Sequence, residues 1–273
     1  MNHRPRKSLG QHFLHDRGVI GRILAAIDPR PGEHFVEIGP GRGALTRPLL
    51  EVPVRLDAVE LDRELAANLV DELGPAGLRV HHADALKFDF RQLGAAPRGL
   101  RLAANLPYNI STPLLFHLLD QQDIFRDLHV MLQREVVERM TAAAGTAAYG
   151  RLSVALAARC RVEKLFIVRP GAFTPPPQVD SAVARLVPDT SLAAQIHDQA
   201  AFDRLLLQAF SMRRKRLANA LRGLLDEPAI IGCGVDPGLR PGDIAPAAWV
   251  RLANHHATIR ARQDHGDPPA HPR

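Results

Sequence analysis

The chain has two cysteines in 273 residues, Cys160 and Cys233, far apart and in no CxxC pair. Neither a disulfide framework nor a zinc cluster can organise the fold, and two reduced thiols are expected. No stretch approaches the roughly 18 apolar residues of a membrane helix, so no membrane partner is expected. The N-terminus, MNHRPRKSLGQHF, is basic but lacks the apolar core of a secretory signal. Together these absences predict a cytoplasmic protein. No internal repeat is evident either. What is present, 46% hydrophobic and 23% charged residues, fits a globular chain long enough for one large α/β domain and a smaller one.

The net charge is +6, and its placement is uneven. Residues 1–22 carry Arg4, Arg6, Lys7, Arg17 and Arg22 against Asp16 alone. Residues 203–222 carry Arg204, Arg213, Arg214, Lys215, Arg216 and Arg222 against Asp203 alone. The rest of the chain is mildly acidic. Two basic segments on such a body suggest a polyanionic partner; the plainer alternative is a pair of solvated, solubilising stretches.

Seven short apolar runs read as strands, at residues 34–39, 54–61, 78–84, 100–106, 128–133, 164–169 and 181–187. Helical periodicity falls near residues 16–27, 44–51, 63–73, 112–120, 134–143 and 150–160. The alternation predicts an α/β fold, a doubly wound, Rossmann-like sheet of seven mostly parallel strands. Between the last two strands lies RPGAFTPPPQVD, whose prolines exclude a helix, so an antiparallel edge is expected there. From residue 189 the periodicity turns wholly helical. We divide the chain into a nucleotide-binding-type domain at 1–188, an α-helical domain at 189–262 and a disordered tail at 263–273. A single straight helix over 201–225 would bury the guanidinium of Arg213. A break near Ser211 is therefore predicted, with Ser211 capping a second helix whose first turn holds Arg213, Arg214, Lys215 and Arg216.

The first strand ends in Glu37-Ile38-Gly39-Pro40-Gly41-Arg42-Gly43. The spacing is GxGxG, not the GxGxxG of dinucleotide folds. The second strand ends in Val59-Glu60-Leu61-Asp62, where Glu60 can accept from both hydroxyls of a ribose. The third ends at Asp84, placed to accept from an adenine amine. Strand ends of this kind line the ligand crevice of open α/β sheets. The pattern favours S-adenosylmethionine over NAD or a plain tight turn, with solvated loop carboxylates as the alternative for Glu60 and Asp84.

The fourth strand runs into Asn105-Leu106-Pro107-Tyr108. An adenine N6 lone pair is delocalised into the ring and is a poor nucleophile. Two acceptors aimed at its N–H bonds would pull the nitrogen toward a tetrahedral shape. The Asn105 side-chain oxygen and the Leu106 carbonyl can serve, with Pro107 fixing the turn. Tyr108 can stack on the base, and the methyl transfer then needs positioning rather than a strong base or a metal. Phe173 could stack from the other side; a core aromatic pinned by its proline-rich loop is the alternative.

With these motifs in order, the chain resembles the KsgA-type ribosomal RNA adenine dimethyltransferases. The likeness rests on KSLGQHFL (7–14), EIGPGRGALT (37–46), VELD (59–62), NLPYNIST (105–112), FTPPPQVDSAV (173–183) and RRKRLANAL (213–221). It implies transfer of two methyls to each of two adjacent adenines near the 3′ end of small-subunit ribosomal RNA, within an assembling subunit. It implies His12 and Leu14 as cofactor contacts beside Gly39, Glu60, Asp84 and Asn105; the residues alone leave His12 a surface or core histidine. RNA contacts are expected at Arg213, Arg214, Lys215, Arg216 and the basic N-terminus, and the protein is expected to act as a monomer. Three rivals share parts of the pattern. They are an erythromycin-resistance-type large-subunit RNA methylase, a non-catalytic assembly factor and a nicotinamide-dependent oxidoreductase.

Overall fold

The computed structural model describes Arg6 and residues 10–264, which fall into two compact units. One comprises Met1–Glu138 with Val162–Pro188, the other Arg139–Arg161 with Asp189–Arg273. The expected single cut at residue 188 therefore differs from this division. Residues 139–161 group with the helical C-terminal part, because the helix at Arg151–Ala157 packs its apolar face among helices rather than on the sheet.

The first unit runs β1 (Phe13–Leu14), α1 (Arg17–Ile27), β2 (His34–Ile38), α2 (Thr46–Leu50), β3 (Arg55–Glu60), α3 (Arg63–Leu73), β4 (Leu78–His82), β5 (Leu100–Asn105), α4 (Ser111–Leu119) and β6 (Phe125–Gln133). After α5 (Arg134–Met140) and α6 (Arg151–Ala157) it resumes with β7 (Cys160–Val168), β8 (Phe173–Thr174) and β9 (Ser181–Pro188). Seven strands form one sheet in the order β4-β3-β2-β5-β6-β9-β7. All seven sequence-predicted strands are there. β2 pairs parallel with β3 and β5, β3 with β4, and β5 with β6, while β9 runs antiparallel to β6. All five residues of β2 are buried, as a central parallel strand covered on both faces requires. The eighth and ninth strands to be counted, β1 and β8, are two-residue segments paired antiparallel outside that sheet. No periodicity could announce them, since two residues have none.

One buried carboxylate in this unit gathers several partners. Asp57, 1% exposed, accepts from His34 Nε2 at 2.7 Å, His81 Nε2 at 2.8 Å and the Arg79 guanidinium. Burial alone would raise its pKa, but the hydrogen bonds from His34, His81 and Arg79 outweigh burial and hold it below the ordinary 3.8. A carboxyl whose folded pKa is depressed adds stability above its unfolded pKa. That stability disappears as pH falls toward the folded value. Urea unfolding followed from about pH 5 to about pH 2 is therefore expected to show a steep acid loss in the native chain. Asp57→Asn should flatten it; an equally steep loss in that variant would refute the assignment.

The second unit contains α6, α7 (Thr190–Ala193), α8 (Gln199–Ser211), α9 (Leu217–Ala220), α10 (Glu227–Gly232) and α11 (Pro246–Asp264). Its core holds Phe202, Leu205, Leu206 and Trp249, each 0% exposed. Arg159, also buried, makes a two-pronged bond to Asp203 at 2.7 and 2.9 Å. The predicted break after Ser211 is present, but the cap is not. Ser211 is the last residue of α8, and its hydroxyl donates backward to the Gln208 carbonyl at 2.7 Å, satisfying one of the carbonyls a helix end leaves open. Residues 213–216 are thus an exposed connection ahead of α9, not the first turn of a helix. Within it, Arg213 donates to the Ala147 and Thr146 carbonyls at 2.8 and 3.3 Å. Of the expected tail, residues 263–264 end α11 and the remainder lies outside the described residues. Among the described residues no helix is long and apolar enough to cross a membrane.

Candidate active site

One cleft in the first unit opens at the carboxyl ends of β2, β3, β4 and β5. Its floor is the glycine bend after β2. Gly39, Gly41 and Gly43 have φ of +64°, +58° and +80°, the left-handed region that a side chain disfavours. A Cβ on Gly41 would sit 3.1 Å from the Phe13 ring, so the bend is also closed against the N-terminal segment. Glu37, 2% exposed, lies beneath it and accepts from the Thr46 hydroxyl at 2.6 Å. Burial pushes its pKa up to about 8 despite that bond, with the nearby Glu60 charge acting in the same direction.

Glu60 ends β3 and is 6% exposed. Its two oxygens accept from the backbone N–H groups of Gly41 at 3.1 Å and Asp62 at 2.9 Å. Burial lifts its pKa above the ordinary 4.5, against those two bonds. Asp84 follows β4 and is half-buried; its Oδ1 accepts from Leu86 N at 2.9 Å, which fixes the carboxylate on the cleft wall.

Asn105 ends β5. Its Nδ2 donates to the His12 carbonyl at 3.1 Å. A carbonyl can only accept, so this bond settles which branch of the amide is nitrogen, and Oδ1 is the other. Leu106 N donates to Met131 O at 3.0 Å, continuing the ladder to β6. Among the described residues, neither Asn105 Oδ1 nor the Leu106 carbonyl is claimed by another hydrogen bond. Both residues line the cleft that the glycine bend floors. A Cβ on Gly39 would lie 3.9 Å from the Asn105 carbonyl, so the bend and the strand end are in direct apposition.

The N-terminal segment covers this cleft and is tied at several points. Gln11 Nε2 donates to Asp62 at 3.1 Å. Phe13 and Leu14 pair with Thr174 and Phe173 through β1 and β8. The Arg42 guanidinium lies 4.5 Å from the Phe13 ring centre. Asp62 also caps α3 through the Glu64 and Leu65 amides. That acidic cap directly before an amphipathic run was legible as a helix start; its grip on Gln11 was not.

Of the residues singled out in the sequence, the cleft brings together His12, Leu14, Gly39, Glu60, Asp84, Asn105, Leu106, Pro107 and Tyr108. Phe173 stands apart. It is 2% exposed, belongs to the hydrophobic core cluster and does not line the cleft, so its place is that of a pinned core aromatic rather than a stacking ring. Arg4 and Lys7 of the basic N-terminus lie outside the described residues. Arg6 is exposed and pairs with Asp62 at 3.3 Å.

A family described as ribosomal RNA adenine dimethylase matches residues 2–256. The chain belongs to this family. It is 54% identical to the ribosomal RNA small subunit methyltransferase A of Pseudomonas putida, over 93% of this chain and 96% of the relative. Its fold is similar to that of a dimethyladenosine transferase from Plasmodium falciparum, with a TM-score of 0.74 and 25% identity over 94% of this chain and 99% of the other. The 23S rRNA methyltransferase ErmE is also similar, with a TM-score of 0.66 and 25% identity over 90% of this chain and 99% of that one. The family match reaches into both units of the chain.

Proposed function

We propose that this chain moves methyl groups from S-adenosylmethionine to the exocyclic N6 of adenine in small-subunit ribosomal RNA. Two methyls would go to each of two adjacent adenines near the 3′ end, during assembly of the subunit in the cytoplasm. One observation carries this reading above the others. Two unclaimed oxygen acceptors, Asn105 Oδ1 and Leu106 O, belong to the cleft whose floor is the glycine bend. The family match and the 54% identity to a small-subunit enzyme favour this substrate over large-subunit RNA.

The cleft residues fit the donor. The left-handed bend brings the backbone at Gly39 and Gly41 to the cleft, Glu60 can accept from ribose hydroxyls, and Asp84 from an adenine amine. His12 and Leu14 of the covering segment would complete the contact. When bound, S-adenosylmethionine supplies an electrophilic methyl on a sulfonium. Asn105 Oδ1 and Leu106 O would accept the two N6–H bonds of the target base and localise its lone pair. Tyr108 would hold the flipped base by stacking, worth roughly 1–3 kcal/mol, against an unstacking cost of a few kcal/mol. Enclosure by the N-terminal segment would exclude water from the transfer.

Incubation with methyl-labelled donor and either immature small subunits or protein-free large-subunit RNA tests the reading. Label in the small-subunit RNA is expected; label only in the large-subunit RNA would overturn it. The exposed cations of the connection ahead of α9 would meet RNA phosphates. Replacing Arg214 and Lys215 with Ala is expected to reduce the slope of log affinity against log salt by about 1.4–1.8, as two fewer contacts release fewer counterions. Arg213 is left in place because it holds the Ala147 carbonyl. An unchanged salt slope would place the RNA elsewhere.

A further inference from the structure

The FTPPPQVDSAV segment touches cleft residues from outside the cleft. Two of its other members hold Tyr108 and its neighbour. Ser181 Oγ lies 2.6 Å from the Tyr108 hydroxyl. Pro175 O lies 2.7 Å from His12 Nδ1, which must donate because a carbonyl only accepts. The His12 ring in turn is stacked on Tyr108, with centroids 5.5 Å apart and planes 27° from parallel. Ser181 is a rigid anchor. It is 1% exposed, opens β9 and pairs with Gln133 of β6 inside the sheet. The Tyr108 backbone is held as well, its carbonyl accepting from the Ser111 hydroxyl at 2.9 Å.

A tyrosine on the turn after β5 would otherwise sample several side-chain torsions. Ordering it as a base arrives would subtract from the stacking gain. Here the ring is fixed beforehand at its hydroxyl, on one face and at its own backbone. We infer that Ser181 is a positioning residue that sets the plane of the Tyr108 ring for the target adenine, with His12, pinned by Pro175, backing one face. The inference rests on the proposed function, in which Tyr108 stacks on that base. It gives the proline-rich segment a part in holding Tyr108.

The test is a double-mutant cycle on the full chain, with methyl-labelled donor and immature small subunits. Ser181→Ala and Tyr108→Phe remove the same hydrogen bond from opposite sides. Each is expected to lower kcat/KM for the particle about fivefold to tenfold, mainly through KM. Affinity for S-adenosylmethionine should stay unchanged. The double variant should be no worse than Tyr108→Phe alone. Effects that multiply would mean that Ser181 acts independently of the ring, and would overturn the inference. So would a Ser181→Ala variant within twofold of the unaltered chain. Should Ser181→Ala not fold, unaltered kinetics in Tyr108→Phe overturn it alone. Inactive Tyr108→Ala beside a fully active Ser181→Ala sinks this inference and spares the functional reading. No transfer by the unaltered chain overturns both.

Discussion

Asn105→Ala is expected to lower methyl transfer to small-subunit particles by about 100- to 1000-fold, the range found when one positioned polar group is removed from a transition-state site. In the proposed reaction its oxygen accepts one of the two N6 protons of the target base. The fold should survive. Asn105 is half-buried at a strand end, and its backbone pairing with Met131 does not depend on the side chain. The covering segment loses the bond to the His12 carbonyl but keeps the Gln11–Asp62 bond and the β1–β8 pairing. Initial rates with labelled donor, read beside the thermal midpoint, separate the two effects. Methylation within threefold of the unaltered chain would remove Asn105 from the chemistry. It would favour a protein that binds the subunit without catalysing the transfer.

Arg101→Met is expected to cost about 3–5 kcal/mol of stability, the usual loss when one partner of a buried ion pair is removed. Arg101 is 5% exposed near the start of β5, at the opposite end of the sheet from the cleft. Its guanidinium meets Asp127 through two bonds of 2.9 Å, Glu33 at 2.7 Å and the Ile27 carbonyl at 2.7 Å. Burial works against its charge, but the bonds to Asp127 and Glu33 prevail and raise its pKa above the ordinary guanidinium value. With Arg101 gone, Asp127, 2% exposed, keeps Arg185 at 3.6 Å and His129 Nδ1 at 3.9 Å among the described residues. Urea unfolding measures the loss. Adding Asp127→Leu should recover much of it, because a buried charge without its partner is worse than no charge. A loss below about 1 kcal/mol in Arg101→Met would show that the pair is not held as described.

The strands of the main sheet were legible because each is an apolar run of strand length between turn residues, and length separates such runs from buried helices. The cleft was legible for a related reason. In a parallel sheet, motifs at successive strand ends converge on one edge whatever their separation in the chain. Glu60, Asp84 and Asn105 therefore meet the glycine bend without any contact having to be foreseen. Ser211 shows the opposite case. The argument against burying Arg213 located the break, but whether a serine closes one helix or opens the next depends on which backbone groups stand unpaired nearby. Here the Gln208 carbonyl was available.

The amino-acid sequence alone determined the number and type of the sheet strands, the glycine bend and the order in which acidic and amide side chains reach the cleft. All of these are local or periodic properties of the chain. Only the tertiary structure decided that Phe173 is buried, that Ser181 and His12 hold Tyr108, that Asp62 grips Gln11 and that Arg101 finds Asp127. Each of those contacts joins residues whose separation is set by the packing of whole elements, 73 positions for Tyr108 and Ser181, and no spacing rule reaches that far. The division at residues 139–161 has the same origin, since an apolar helix face is indifferent to its partner until both candidates are folded.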